Sequence, residues 1–147
     1  MHQTIRASRA ERAVIVLLRI YAAILLTALI PAVMPLVWME EIHRGLGMGE
    51  LPADRIVQYL TRSQSGLYAV QGALFLFISL NVRRLLPVVK CLAVLKILFG
   101  IGMLALDIVV GMPLLWTLGE GPVIIFLGCL LLGLTNRAAK NQGSAGE

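Results

Sequence analysis

Charged residues, cysteines and histidines are all scarce in this 147-residue sequence. Only 14% of the residues are charged and 59% are hydrophobic, whereas a soluble domain carries about 25% charged residues. The apolar residues form long runs and do not alternate with polar ones. This composition argues against a soluble enzyme and favours a membrane protein, and the length fits a single domain.

The few cysteines and histidines exclude several chemistries. Cys91 and Cys129 each lie inside an apolar run without a C-x-x-C motif, so thiol redox chemistry has no support and two buried structural thiols are expected. His43 is the only histidine beyond the amino-terminal tail, so no serine–histidine–acid arrangement can be assembled. No catalytic residue is assigned and no cofactor is expected.

Metal, nucleotide and nucleic-acid sites are also disfavoured. Glu40 and His43 have a spacing that can bind a metal on a helix, but two ligands do not make a site. Alternating glycines at 45, 47 and 49 follow no strand, so a nucleotide-binding loop is not indicated. The net charge of +5 comes from basic residues at the ends of apolar runs, without stacking aromatics, so nucleic acid is not an expected partner.

Four apolar stretches predict an all-α, polytopic membrane protein, with four transmembrane helices in a bundle. The spans cover about 15–38, 63–82, 87–110 and 113 or 122 to 136, and a helix needs roughly 20 residues to cross the bilayer. Pro31 and Pro35 predict a kink or local unwinding in the first span. That span is too long for a signal peptide and no A-x-A site follows it. Residues 1–12 and 138–147 are expected to be flexible cytoplasmic tails.

The distribution of basic residues predicts the orientation. Ten of the thirteen Lys and Arg residues lie in the amino-terminal tail, the second connection with the start of span three, or the carboxyl-terminal tail. The first connection has three basic residues among four acidic ones, and the third connection has none. Basic residues concentrate on the cytoplasmic side of membrane proteins, so both termini are predicted in the cytoplasm.

The outer interface is expected near two tryptophans, Trp38 and Trp116, whose amphipathic rings prefer that depth. In the segment "GMPLLWTLGEGP", Glu120 stands just before Pro122, which suits the first turn of a helix. The carboxylate then lies near the positive end of the helix dipole. Residues 52–62 predict a short interfacial helix in the first outer loop, with Ile56 on its lipid side.

Asp107 lies near the outer end of span three, where an unpaired carboxylate is costly. Gln64, Tyr68 and Gln71 recur at helical spacing and form one polar stripe on span two. With Arg62 at the mouth, these side chains predict an outer polar cluster, whose members are Arg62, Gln64, Tyr68, Gln71, Asp107 and Glu120. The cluster is either a small ligand cavity or a structural contact containing an Arg62 ion pair to Asp107 or Glu120.

Two further expectations concern span three and helix packing. Lys96 lies about 16 Å along the helix from Asp107, so it is expected to extend towards the cytoplasmic headgroups without pairing with Asp107. Small residues at four-residue spacing, Ala69 with Ala73 and Cys129 with Gly133, indicate close helix packing.

Three stretches carry a resemblance: "MPLVWMEEIHRGLGMGELP", "YLTRSQSGLYAVQGALF" and "GMPLLWTLGEGP". They are similar to a group of small bacterial integral membrane proteins without an assigned activity, over roughly residues 34–134. The resemblance implies a four-span architecture and nothing about a substrate. The layout alone also resembles that of DoxX-like proteins.

The leading interpretation is a four-helix protein of the bacterial inner membrane without established catalysis, which is either an accessory component or one that binds a lipid or a small ligand. The first alternative is an outer-leaflet lipid-modifying enzyme that uses Asp107, Glu120 and Arg62. The second is a small dimeric transporter, although the strong charge bias across the membrane counts against that type. The lipid bilayer is the expected partner, and a homo-oligomer or a partner membrane protein stays open.

Overall fold

The computed structural model describes residues 8–143, which form helices and no strands. The helices, in chain order, are α1 (Arg9–Leu26), α2 (Leu29–Val33), α3 (Leu36–Gly45), α4 (Arg55–Ser79), α5 (Val82–Val110), α6 (Leu114–Gly119) and α7 (Gly121–Gly143). The prediction of an all-α fold is confirmed for the described residues. The tail residues 1–7 and 144–147 lie outside them.

Three helical stretches of the described chain are long and apolar enough to cross a membrane: Arg9–Val33, Val82–Val110 and Leu114–Gly143. The predicted second span is not among them. Its helix, α4, has 25 residues and is long enough. Arg62, Gln64 and Gln71 lower its hydropathy, so three of the described helices, and not the predicted four, are long and apolar enough to span a membrane.

The first span is interrupted as its prolines predict. Pro31 lies in the first turn of α2, where its missing N–H leaves no gap. Met34 precedes Pro35 and takes an extended backbone conformation, as a residue before proline prefers. The helix therefore stops, and α3 begins after Pro35.

Two helix boundaries extend beyond the predicted spans. Ser8 and Glu11 form a capping box: the Ser8 hydroxyl accepts from the Glu11 backbone N–H, and the Ser8 N–H donates to the Glu11 carboxylate. Because of this cap, α1 already begins at Arg9, within the expected tail. At the other end of the chain α7 continues to Gly143, with Ala138 fully buried.

The interfacial helix predicted at residues 52–62 is not a separate helix but part of α4. Residues 55–62 form the first two turns of α4 and continue into it without a break. The helix that the first loop does contain is α3, which carries Trp38. The chain around residue 52 has no helical structure, since α4 begins only after Asp54.

The long helices form two antiparallel pairs, α1 with α4 and α5 with α7, and α1 also packs on α7. In the first pair Gly72 lies against Ala22 and Leu25, and the start of α4 reaches the end of α2 through Arg62. Consecutive helices α4 and α5, in contrast, hardly touch. A groove therefore remains between them.

Glycines of α5 and α7 bring the second pair close together. A Cβ added at Gly121 would lie 2.7 Å from the Leu104 Cβ, and one at Gly128 would lie 2.8 Å from the Ile97 Cγ1. The predicted small-residue contacts are only partly correct, because Ala69 is buried but Ala73 and Cys129 are exposed and Gly133 faces open space.

Both cysteines contradict the prediction of buried thiols. Cys91 and Cys129 are free and exposed. They lie on the outward faces of α5 and α7. A position inside an apolar run therefore does not determine whether a side chain is buried. Many leucines and valines of the same helices are exposed as well, as expected for surfaces that face lipid.

Three helix ends meet at Glu11. Glu11 is only 2% exposed. Its carboxylate accepts hydrogen bonds from Arg83 Nε at 3.0 Å, Arg83 Nη2 at 3.1 Å and Gln142 Nε2 at 2.7 Å. Arg83 is in the first turn of α5 and Gln142 is in the last turn of α7. This end of the bundle, where α1 and α5 begin and α7 ends, is called the Glu11 end below.

Candidate functional site

The six residues of the predicted polar cluster are divided among three places in the structure. Arg62 lies at the break in the first span, Gln64, Tyr68 and Gln71 line the groove between α4 and α5, and Asp107 and Glu120 lie near α6. No ion pair joins Arg62 to Asp107 or Glu120 among the described residues. Each place has its own chemistry.

Arg62 bonds backbone carbonyls. Its guanidinium donates to the Ala32 oxygen at 2.9 Å and to the Met34 oxygen at 3.0 Å. These carbonyls belong to the end of α2, where the interruption at Pro35 leaves helix acceptors without their usual donors. Arg62 is thus a structural contact that holds α4 against the broken helix.

The groove between α4 and α5 contains the polar stripe. It encloses about 510 Å³ and is mostly apolar. The lining residues are Gln64, Leu67, Tyr68, Val70, Gln71 and Leu74 of α4 with Leu92, Leu95, Lys96 and Phe99 of α5. Gln64, Tyr68 and Gln71 line the groove together, from one face of α4. That face is turned towards α5.

Lys96 is one of the residues that line this groove. Its side chain does not extend to the headgroups, because the residue is only 6% exposed and its ammonium donates to Gln71 Oε1 at 2.9 Å. The prediction for Lys96 is therefore wrong. Its position gives the reason: Lys96 is fourteen residues from either end of the 29-residue α5, which is roughly 21 Å along the axis. A lysine side chain cannot cover that distance.

Aromatic rings surround the Lys96 ammonium. The nitrogen is 5.5 Å from the ring centroids of Tyr21 and Phe75 and 6.0 Å from that of Phe99. Tyr21 and Phe75 contact each other edge to face, at 5.5 Å between centroids. Such rings attract a cation, most strongly when it is shielded from water. They bring residues of α1, α4 and α5 to one point.

Hydrogen-bond donors outnumber acceptors around Lys96. The ammonium has three N–H groups, of which one is used by Gln71. No carboxylate lies at ion-pair distance from Lys96 within residues 8–143. The Tyr21 hydroxyl is buried and likewise has no hydrogen-bond partner among these residues. The groove thus contains a buried ammonium that has one amide partner and no carboxylate partner among the described residues.

Asp107 and Glu120 form the third place, away from the Glu11 end. Asp107 is 3% exposed, and its Oδ2 has no hydrogen-bond partner among the described residues. Glu120 is half-buried, and its carboxylate interacts electrostatically with both Asp107 and Trp116. The Glu120 carbonyl accepts from the Ile124 N–H, so the residue directly precedes α7, as the sequence predicts.

A second, shallower cavity of about 400 Å³ adjoins Glu120. Leu46, Leu115, Trp116 and Ile124 line it together with Glu120. Trp116 is half-buried there, while Trp38 is 58% exposed on α3. The loop after α3 thus meets α6 and the start of α7. Of the two predicted interface tryptophans, Trp38 lies on α3 and Trp116 lies on α6.

The possible metal ligands of the first loop have other partners. Glu40 accepts from Arg44 at 3.0 Å, and His43 Nδ1 lies 3.1 Å from the Gly49 carbonyl oxygen. No group of three or more metal-binding side chains occurs in the part of the chain that the structure describes.

The sequence reasoning missed the role of Lys96. One signal was available: Lys96 and Gln71 are the polar residues nearest the middle of the predicted spans 87–110 and 63–82, and a charge at mid-membrane depth needs a polar partner. The aromatic partners were not predictable, because Tyr21 comes from a helix distant in the sequence.

The fold and this site define an all-helical chain with three candidate membrane-spanning helices, which is compatible with a multi-pass membrane protein. No related protein indicates its activity. The chain matches no protein family model, no curated protein and no solved structure in comparisons with all three.

Proposed function

We propose that this chain is an accessory component of the bacterial inner membrane that binds a lipid or a small amphipathic ligand in the groove between α4 and α5. The observation that carries the proposal is the groove itself. It encloses about 510 Å³ between mostly apolar walls, and four of its lining residues are polar: Gln64, Tyr68, Gln71 and Lys96. Ligand sites typically have this volume, about 300–1,000 Å³, and this composition.

In this proposal α4 is a fourth membrane-crossing helix. It runs antiparallel to α1 and reaches both ends of the bundle, over 25 residues or roughly 37 Å. Its side chains away from the groove are apolar, since Ile56, Leu60 and Phe77 are 55 to 66% exposed and do not line it. Gln64 and Gln71, which lower its hydropathy, line the groove on the side of α4 that faces α5.

The proposed orientation has both termini in the cytoplasm. The Glu11 end carries Arg9, Arg12, Arg83 and Arg84 at the beginnings of α1 and α5. The opposite end has the acidic first connection and the connection at Glu120, which lacks basic residues. The positive-inside rule then assigns the Glu11 end to the cytoplasm.

The experiment is native mass spectrometry of protein purified in a mild detergent, to detect retained lipid or metabolite. Leu95→Trp adds bulk to the groove wall and is expected to reduce the retained ligand. Leu106→Trp is the matched control, because Leu106 is on the same helix and is 52% exposed, against 54% for Leu95. Leu106 lines neither of the two cavities described above.

Equal retention by the two variants would contradict a site in this groove. So would a wild-type protein that carries no bound molecule after purification and takes none up from added lipid extract. Both variants must elute as monodisperse species, which shows that the added tryptophan leaves the fold intact.

A further inference from the structure

The donors around Lys96 specify the chemistry of the ligand. We propose that the groove binds a single-chain carboxylic acid, whose carboxylate pairs with Lys96 and whose hydrocarbon chain lies along the apolar walls. This inference rests on the proposed function, because it assigns the ligand class of the same groove.

The charge of the site requires an anion. A lysine ammonium 6% exposed, at the centre of a 29-residue apolar helix, has no carboxylate partner among residues 8–143. One amide oxygen and three aromatic rings stabilise it only in part. Ionisable side chains at this depth are expensive unless they are paired, and they often mark a functional site. An anionic ligand supplies the missing partner.

The number of donors fits one carboxylate. Two ammonium N–H groups remain after the bond to Gln71. A carboxylate offers two oxygens with about four lone-pair sites and one negative charge. A phosphate monoester carries more charge than the single cation of this site neutralises. The match in charge and donors therefore favours the carboxylate.

The depth of Lys96 also favours a single-chain ligand. The ammonium belongs to the residue at the midpoint of α5, roughly 21 Å from either end of the helix. The headgroup of a phospholipid stays at the membrane surface and does not reach this depth. A carboxylic acid with one chain is small enough to enter a groove of about 510 Å³.

The polar stripe of α4 supplies the route. Gln64 and Tyr68 lead along the groove from the Arg62 end of α4 to Gln71, a distance of roughly 10 Å. Their amide and hydroxyl groups offer hydrogen bonds to a carboxylate that has left water but has not reached Lys96. Leu74 and Leu95, on opposite walls, then contact the chain.

The test is a competition assay with radiolabelled dodecanoate bound to the purified full-length protein at pH 8. Unlabelled dodecanoate, dodecanol and dodecylamine have the same chain and differ in the head. We expect dodecanoate to compete about tenfold or more better than the other two, as a charge-assisted bond to an ammonium implies. Equal competition by dodecanol would overturn the assignment of the carboxylate.

Two variants locate the contact. Lys96→Met keeps the length and apolar stem of the side chain, and should weaken dodecanoate about tenfold or more while leaving dodecanol within about twofold. Lys90→Met is the matched control, since Lys90 is exposed on the same helix, and it should bind dodecanoate as the wild type does. Wild-type affinity in Lys96→Met would refute the pairing. If that variant does not fold, the wild-type competition series decides by itself.

The two proposals fail in different ways. If no amphiphile binds, or Leu95→Trp leaves binding unchanged, the groove is not a ligand site and the proposed function fails. If Leu95→Trp blocks dodecanoate and dodecanol alike and the two compete equally, the groove binds chains but Lys96 does not select an anion, and only the present inference fails.

Discussion

The glycine contacts between α5 and α7 allow a sharp test of the packing. Alanine in place of Gly121 puts a methyl group 2.7 Å from the Leu104 Cβ and 2.9 Å from both the Cα and the backbone nitrogen of that residue. Favourable carbon–carbon contacts lie at about 3.5–4.0 Å. Two of the three atoms are backbone, so no side-chain rotation relieves the overlap and the helices must separate by roughly 1 Å.

The expected cost follows from these distances. Overpacking by one methyl in a tight contact costs about 1–3 kcal/mol. At Gly133, where an added Cβ has no atom within 4 Å, alanine relieves the glycine penalty in a helix, up to about 1 kcal/mol. Gly128→Ala should fall between the two, because its nearest contact, at 2.8 Å, is the side-chain Cγ1 of Ile97 and its backbone contacts are longer, at 3.2 Å.

The assay is thermal denaturation in detergent, followed by the fraction of protein that elutes as a monodisperse species. A chain of this size changes its Tm by roughly 2–4 °C per kcal/mol. Gly121→Ala should therefore melt roughly 2–12 °C below the wild type, and Gly133→Ala at or slightly above it. A Gly121→Ala protein as stable as Gly133→Ala would refute the close approach of α5 and α7.

Three further outcomes are expected. Glu11→Gln should lower the Tm clearly, because the buried carboxylate joins three helix ends, whereas Arg84→Gln on the exposed surface should not; equal melting of the two variants would contradict that role. Asp107→Asn should leave the Tm unchanged or raise it, since Oδ2 has no partner. Its effect on the Tm should add to that of Arg62→Gln, because the two residues are not in contact. A coupling energy near that of a buried ion pair would instead show that these residues interact. In a protein without native cysteines, an impermeant thiol reagent on intact cells should label a cysteine at Glu50 but not one at Arg84, and the reverse pattern would overturn the orientation.

The interior site was only partly accessible from the sequence. The spacing of Gln64, Tyr68 and Gln71 predicts a shared helix face, and that face does line a groove. The expected association of this face with Asp107 and Glu120 does not occur, because the two acids lie nearer the far end of α5 and beside α6. Spacing along one helix gives the direction of a side chain but not the residue that it meets on the next helix.

The sequence by itself determined the class of structure. Long apolar runs predict helices, because hydrocarbon offers no partner for backbone N–H and C=O groups. Pro31 and Pro35 determined where the first run breaks, since a proline ring and the residue before it restrict the backbone locally. These effects depend only on neighbouring residues, and they were predictable for that reason.

Only the tertiary structure decided which distant residues meet. Glu11, Arg83 and Gln142 are far apart in the sequence, and they join because three helix ends converge. Lys96 of α5 is buried beside Tyr21 of α1 and Phe75 of α4 because these three helices meet there. A helical pattern of residues is the same whichever neighbouring helix it faces. The partner of a buried charge therefore depends on how the helices pack. That packing arises from the close approach at glycines and from the matching of surfaces along the whole length of each helix pair.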